Sequence, residues 1–425
     1  PQSRQNGSIY WILLFDRGRI AEKEGRLPEA ITLYRQAVDV IEQQRATINT
    51  EASKIGFVGD KQSVYQRLVS TLQANSQFAE AFEYVERSKS RALVDMLAAK
   101  KDFSLPPDHG MQVQTLLAAY DRADAEGRVQ DELHDPSRTR SIAVKTKQEL
   151  KDQAPELASL VQVTSLSARE IQALIPPDET VIEYYYTDRD LFAFVLTSQK
   201  LAAVRMDLAG LIDDTRRFRK LLEKPGSQGS GEISQHLYRR LFQPLAKSVA
   251  TDKLVMVPHG VLHYLPFNAL HDGNGYMIDK YEIRVLPSAG VLRYLQTKKA
   301  AAAGNILALG NPDLGNPEYD LKYAQAEALA VAKTLPQSRA LLRKEATESA
   351  FRKYGGGFRY LHLATHGRFD ADAPLKSALM LTPDSESDGL LTVDKLYTMR
   401  LQADLVTLSA CETGLGKVAG GDDVV

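Results

Sequence analysis

The 425-residue chain carries 53 Lys and Arg against 54 Asp and Glu, a formal charge of −1, so bulk electrostatics selects no partner and argues against direct nucleic-acid binding. With 44% hydrophobic and 25% charged residues it has the composition of a folded protein, long enough for two or three domains of about 150 residues. Its one cysteine, Cys411, excludes an intrachain disulfide and a multi-cysteine zinc site, and apolar runs such as 9–15 fall far short of the roughly 18 residues of a membrane span.

Residues 1–100 have helical periodicity and few breakers. The series Ala21, Gly25, Ala30, Tyr34, Ala37 sets small residues and one aromatic at the spacing by which paired helices approach closely. This resembles a tetratricopeptide repeat. Glu80-Ala81-Phe82 echoes Glu29-Ala30-Ile31, although the offset exceeds the roughly 34 residues of a standard repeat. A plain helical hairpin using Ala and Gly at its contacts accounts for the pattern equally well. Helices are predicted over 61–75 and 78–100. Residues 101–158, punctuated by Pro106-Pro107, Gly110 and Pro136, read as a solvated helical hairpin that links to the next domain.

From Val181 the pattern changes to strands. Residues 181–186 and 191–196 are aromatic and β-branched runs around Thr187-Asp188-Arg189-Asp190, a hairpin signal. Short strands follow at 254–257 and 282–286, with a helix at 234–250. Residues 301–425 then alternate: strand 305–309, helix 323–334, strand 339–342, helix 347–354, strands 360–365 and 379–381, helix 392–397, strand 405–408. Gly355-Gly356-Gly357 reads as a loop. That order predicts a parallel sheet covered by helices, with sites beyond the strands' carboxyl ends.

Two strand ends carry chemistry. Leu361-His362-Leu363-Ala364-Thr365-His366-Gly367 runs into a His-Gly pair, and Leu405 to Gly414 runs into Cys411. If the two strands are parallel neighbours, about 5 Å apart, the His366 imidazole can take the Cys411 proton and leave a thiolate that attacks a carbonyl carbon. The N–H groups of Gly367 and Cys411 are the candidate oxyanion donors.

These residues resemble the CHAT domain, a family of caspase- and separase-like cysteine peptidases usually found behind tetratricopeptide repeats. The matching pieces are Leu254 to Leu270, Tyr281 to Ala289, Ala364 to Gly367, and Leu408 to Gly414. The resemblance covers roughly 159–425, divided into a mixed α/β part at 159–300 and a caspase-like catalytic part at 301–425. It implies that His366 is the catalytic histidine and Cys411 the nucleophile, with Gly367 and the Cys411 amide at the oxyanion. It also implies a C-terminal segment beyond Val425 that contributes to specificity, and the chain reads as a fragment at both ends. Ser409 stands where arginine-selective relatives place an acid, which argues against a basic preference.

Other motifs are weaker. The stretch Cys411 to Val418 resembles a phosphate-binding loop but lacks its first Gly and the Ser or Thr after Lys417. His362 with His366, and His259 with His263, have zinc-like spacing. The first pair lies on a strand, where those positions are about 13 Å apart, and both pairs lack the Glu of a His-Glu-x-x-His motif. His259, His263 and His362 read as packed structural histidines. The expectation is an α/β caspase-like protease domain behind an all-α helical module. It would act in the bacterial cytoplasm on a specific protein substrate, without metal or organic cofactor or membrane span. The helices would bind a regulatory protein. The alternative is a catalytically silent scaffold.

Overall fold

The computed structural model describes residues 7–45, 61–98, 166–223, 226–297, 304–368, 376–396, 399 and 401–410. The predicted linker hairpin and the Cys411 segment lie outside these. The fold is α/β with a helical N-terminal region, and the described residues divide into two compact units, up to Gln296 and from Thr297 to Ala410.

In the first unit, α1 (Gly7–Lys23) and α2 (Leu27–Arg45) form one helical hairpin, α3 (Gln62–Ala74) and α4 (Phe78–Ala98) a second. The turns contain Gly25 at φ +75° and Ser76 at φ +57°. Ala21, Ala30, Tyr34 and Ala37 are all fully buried in the contact between α1 and α2, whereas Gly25, expected in the same series, is exposed in the turn between them. A Cβ on Gly18 would lie 2.5 Å from the Tyr34 ring. Glu22 accepts hydrogen bonds from the Tyr34 hydroxyl (2.6 Å) and Arg67 (3.1 Å), tying the first hairpin to the second.

Next come α5 (Ala168–Leu174), started by a Ser167/Glu170 capping box, and strands β1 (Glu179–Tyr186), β2 (Leu191–Leu196) and β3 (Leu201–Met206). Helices α6 (Leu211–Leu222) and α7 (Ser230–Leu241) precede β4 (Lys253–Val257), β5 (Glu282–Val285) and α8 (Leu292–Thr297). The five strands form one sheet in the order β3-β2-β1-β4-β5. The predicted hairpin closes at 187–190, where the Thr187 N–H bonds the Asp190 carbonyl at 2.8 Å. Sequence reasoning did not anticipate β3, whose Ala-rich run lacks a strand signature, or α6. Helix α7 stops at Leu241 and gives way to a 3-10 turn at Gln243–Leu245, because Pro244 has no N–H to continue the ladder. One sheet face, with Val181, Tyr185, Phe192, Phe194 and Val255, packs on the helical hairpins. The alternate residues Ile182, Tyr184, Ala193, Val195 and Met256 pack on α6 and α7.

The second unit runs β6 (Ile306–Pro312), α9 (Ala324–Ala332), β7 (Arg339–Arg343), α10 (Glu348–Tyr354), β8 (Tyr360–Ala364), β9 (His366–Arg368), β10 (Ala378–Met380), β11 (Leu390–Thr392), α11 (Val393–Leu396) and β12 (Leu405–Ser409). The order β12-β8-β6-β7 is parallel throughout. The predicted strand at 379–381 does not join that sheet: β10 pairs antiparallel with β9 and β11 in a separate three-stranded sheet. Gly389 turns the chain between β10 and β11, at φ +78°, and a Cβ there would lie 2.3 Å from the Leu381 carbonyl. Strands β9 and β11 have three residues each, too few to show a period of two. Gly355–Gly357, expected as a loop, forms a 3-10 turn, with Gly355 buried.

Candidate active site

Strands β8 and β12 are hydrogen-bonded parallel neighbours, in register from Tyr360 opposite Leu405 to Ala364 opposite Ser409. Lying between β6 and β12, β8 buries Leu361, Leu363 and Ala364. The pairing continues one step past the strand, where the Thr365 N–H donates to the Ser409 carbonyl at 3.2 Å. The carboxyl ends of these strands are therefore joined at the positions that precede His366 and Cys411 in sequence. Cys411 itself lies outside the described residues.

Buried Thr365 turns the chain out of β8, and its hydroxyl donates to the Met380 carbonyl. His366 then opens β9, opposite Met380. Its Nε2 lies 2.8 Å from the backbone carbonyl of Tyr319, and the two rings meet edge to face at 5.8 Å. A carbonyl only accepts, so Nε2 is the protonated nitrogen and Nδ1 is left to take up a proton. The Tyr319 carbonyl carries no residue-type signature and was not legible in the sequence. Turn residues around it, such as Pro312, Gly315 and Pro317, offered the one hint of a structured loop.

Gly367 lies opposite Leu379. In an antiparallel pair, successive residues direct their backbone groups to opposite sides. The Met380 carbonyl faces β9, where Thr365 reaches it, and the Leu381 N–H faces the other way to the Gly389 carbonyl. Leu379 and Gly367 are thus a non-hydrogen-bonded pair, and the Gly367 N–H points away from β10.

Of the three histidines expected to be structural, His259 and His362 are buried. His362 is buried on β8 with Nε2 3.1 Å from a Glu327 carboxylate oxygen on α9. That approach lacks hydrogen-bond alignment and is a close polar contact only. His259 is buried against the Tyr185 and Tyr186 rings, at 4.5 and 4.6 Å, and its Nδ1 accepts the Tyr186 N–H at 3.2 Å. Burial pushes its pKa well below the ordinary histidine value, helped by the nearby charges of Lys89 and His263, so the ring is a neutral acceptor. His263 lies in the 3-10 turn Gly260–Tyr264. Among the described residues, no group of three or more His, Cys, Asp or Glu is placed to hold a metal ion. Also among them, no helix is long and apolar enough to cross a membrane.

A family model described as the CHAT domain matches residues 231–425. The match begins within α7 and includes all of the second unit's described strands, while β1 to β3 and the helical hairpins precede it. A CHAT domain is a caspase-like, peptidase-related fold, and the parallel sheet with flanking helices is consistent with it. Comparison with curated proteins gives no match.

Proposed function

We propose that this chain is a caspase-like cysteine endopeptidase in which His366 and Cys411 form the catalytic pair. The observation that carries this reading is the parallel pairing of β8 with β12, in which Ala364 stands opposite Ser409. His366 and Cys411 each follow two residues later in the sequence. In the proposed reaction the Cys411 thiol gives its proton to Nδ1 of His366, and the thiolate attacks the scissile carbonyl carbon. The N–H groups of Gly367 and Cys411 hold the oxyanion. The imidazolium protonates the leaving amine, and water then hydrolyses the thioester through the same histidine. The Tyr319 carbonyl fixes the tautomer that this requires.

Regulation through the helical hairpins belongs to the same proposal. A cleft of about 610 Å³ separates α3 from the β1–β2 turn, lined in part by Gln66, Arg67, Ser70, Asp190 and Arg205, and it offers a place for a regulatory protein. Its balanced charges suit a polypeptide better than a polyanion. The setting proposed is the bacterial cytoplasm, in a defence or regulated-death pathway.

The test is to incubate the protein with a peptide library and a cysteine-directed peptidyl electrophile, mapping cleaved bonds and labelled residues by mass spectrometry. Cleavage and Cys411 labelling are expected in the wild type, with cleavage lost in both Cys411→Ala and His366→Ala. Cleavage that persists equally in both variants overturns the dyad. Absence of cleavage and labelling in the wild type favours the silent scaffold.

A further inference from the structure

We propose that Arg343 is a positioning residue for His366, acting through the loop that supplies the Tyr319 carbonyl. The inference rests on the catalytic reading of His366 and Cys411 and extends it to a residue on a different strand.

Tyr319 is not held by burial. It is 48% exposed, and none of the residues of its 3-10 turn, Pro317–Tyr319, is buried. Its place is set by bonds on either side, and these converge on Arg343. The guanidinium pairs with Asp320, the residue after Tyr319, through Nη1. The same nitrogen lies 3.4 Å from the Asn311 carbonyl, and Nη2 is 3.9 Å from Asp313. The Arg343 carbonyl accepts the Thr382 hydroxyl at 2.7 Å, and the Thr382 oxygen in turn accepts the Asp313 N–H at 2.8 Å. Asn311 completes the frame by accepting the Leu321 N–H at 3.0 Å.

The backbone at this point is itself unusual. Among the described residues four non-glycine residues have positive φ: Ser76, Asn311, Gln337 and Arg343. Ser76 and Gln337 lie in connections between elements, whereas Asn311 (φ +47°) and Arg343 (φ +50°) lie within neighbouring strands, at the register break between Gly310 and Pro312. Such a conformation is disfavoured for a residue with a Cβ, more so for Arg than for Asn, and persists where its surroundings enforce it. The carboxyl ends of β6 and β7 thus adopt a costly geometry that puts the Arg343 fork beneath the loop carrying the His366 acceptor. An ion pair this exposed contributes little to global stability. Its effect is on orientation, where a misplacement of about 1 Å can cost on the order of a hundredfold in rate.

The readout is the alkylation rate of the protein's only cysteine by iodoacetamide between pH 5 and 9, with thermal melting as a control. A thiolate sustained by His366 reacts at acid pH, whereas an ordinary thiol titrates near pKa 8.5. Arg343→Met is expected to slow labelling at pH 6 by about tenfold, moving the profile toward that of His366→Ala. Arg343→Lys, which keeps the charge but loses the fork, should recover part of the rate. Asp320→Asn removes the charge from the same contact at an exposed partner and should slow labelling in the same direction as Arg343→Met without a fall in melting temperature. The proposal is overturned if His366→Ala shifts the profile while folded Asp320→Asn and Arg343→Met follow the wild type. If the wild type and His366→Ala coincide as ordinary thiols, the catalytic reading fails, and the positioning role with it.

Discussion

Glu183 sits fully buried in β1, and Lys89 reaches it from α4 with Nζ 3.2 Å from Oε1. Lys89 donates hydrogen bonds to the Tyr184 carbonyl (3.1 Å) and the Pro258 carbonyl (2.8 Å), and among the described residues neither Glu183 oxygen has a well-aligned hydrogen-bond partner. Burial, and then the charge of Glu86, holds the Glu183 pKa well above its ordinary 4.5 despite Lys89. The folded protein therefore keeps a proton that the unfolded chain releases near pH 4.5, and stability falls as pH rises from that value through the folded pKa. Glu183→Gln, which resembles the protonated form, should remove this loss. Urea unfolding at pH 5 and pH 8 is expected to show the variant gaining on the wild type as pH rises, by about 1–3 kcal/mol at the upper end. A gap that shrinks between the two pH values would count against a protonated Glu183. The sequence displayed Glu183 as one polar residue in an apolar strand but could not show that Lys89, far away in the chain, faces it.

At the scale of elements, the parallel sheet of the second unit was readable because each strand end carries a local signal. Leu361-His362-Leu363-Ala364 is an apolar run before a His-Gly break, and Thr347 caps α10 by accepting the Ala350 N–H at 3.0 Å. Contact between α9 and β6 depends on Gly310, where an added Cβ would lie 2.6 Å from the Ala324 carbonyl and 2.5 Å from the Ala328 Cβ. No rotamer change relieves a clash with backbone. Gly310→Ala should therefore destabilise by about 1–3 kcal/mol, while Gly357→Ala, with open space around it, should change stability little. Denaturant midpoints of the two variants measure the difference. Equal midpoints would show that α9 can move off the sheet without cost. Strands β9 and β11 escaped notice because three residues pair only where β10 is already in place.

At the scale of the molecule, the helical hairpins and the five-stranded sheet form one compact unit with a shared core. Charged groups fasten them further. Besides Lys89, the Glu86 carboxylate on α4 accepts the N–H groups of Ala289 and Gly290, at 3.0 and 2.7 Å. These bonds join α4 to the carboxyl ends of β1, β4 and β5. Lys89→Met leaves the buried Tyr184 and Pro258 carbonyls without this donor, at a cost of about 1–3 kcal/mol for each. Native-state hydrogen exchange should show α3, α4, β1 and β4 losing protection by the same amount in that variant. Loss confined to α4 would mean that helices and sheet open separately.

Read alone, the sequence determined the fold class, the β1–β2 hairpin, the small-residue contact of α1 with α2, and the order of strands and helices in the second unit apart from β9 and β11. Each of these follows from local periodicity, turn chemistry or side-chain size within one stretch of chain. The tertiary structure decided what depends on distant partners: the pairing of β8 with β12, the removal of 378–380 to an antiparallel sheet, the Lys89–Glu183 contact, and the bond from His366 to the Tyr319 carbonyl. Backbone acceptors and long-range charge pairs leave no pattern in residue type, because any residue can present a carbonyl and any acid can meet any base once the fold brings them together.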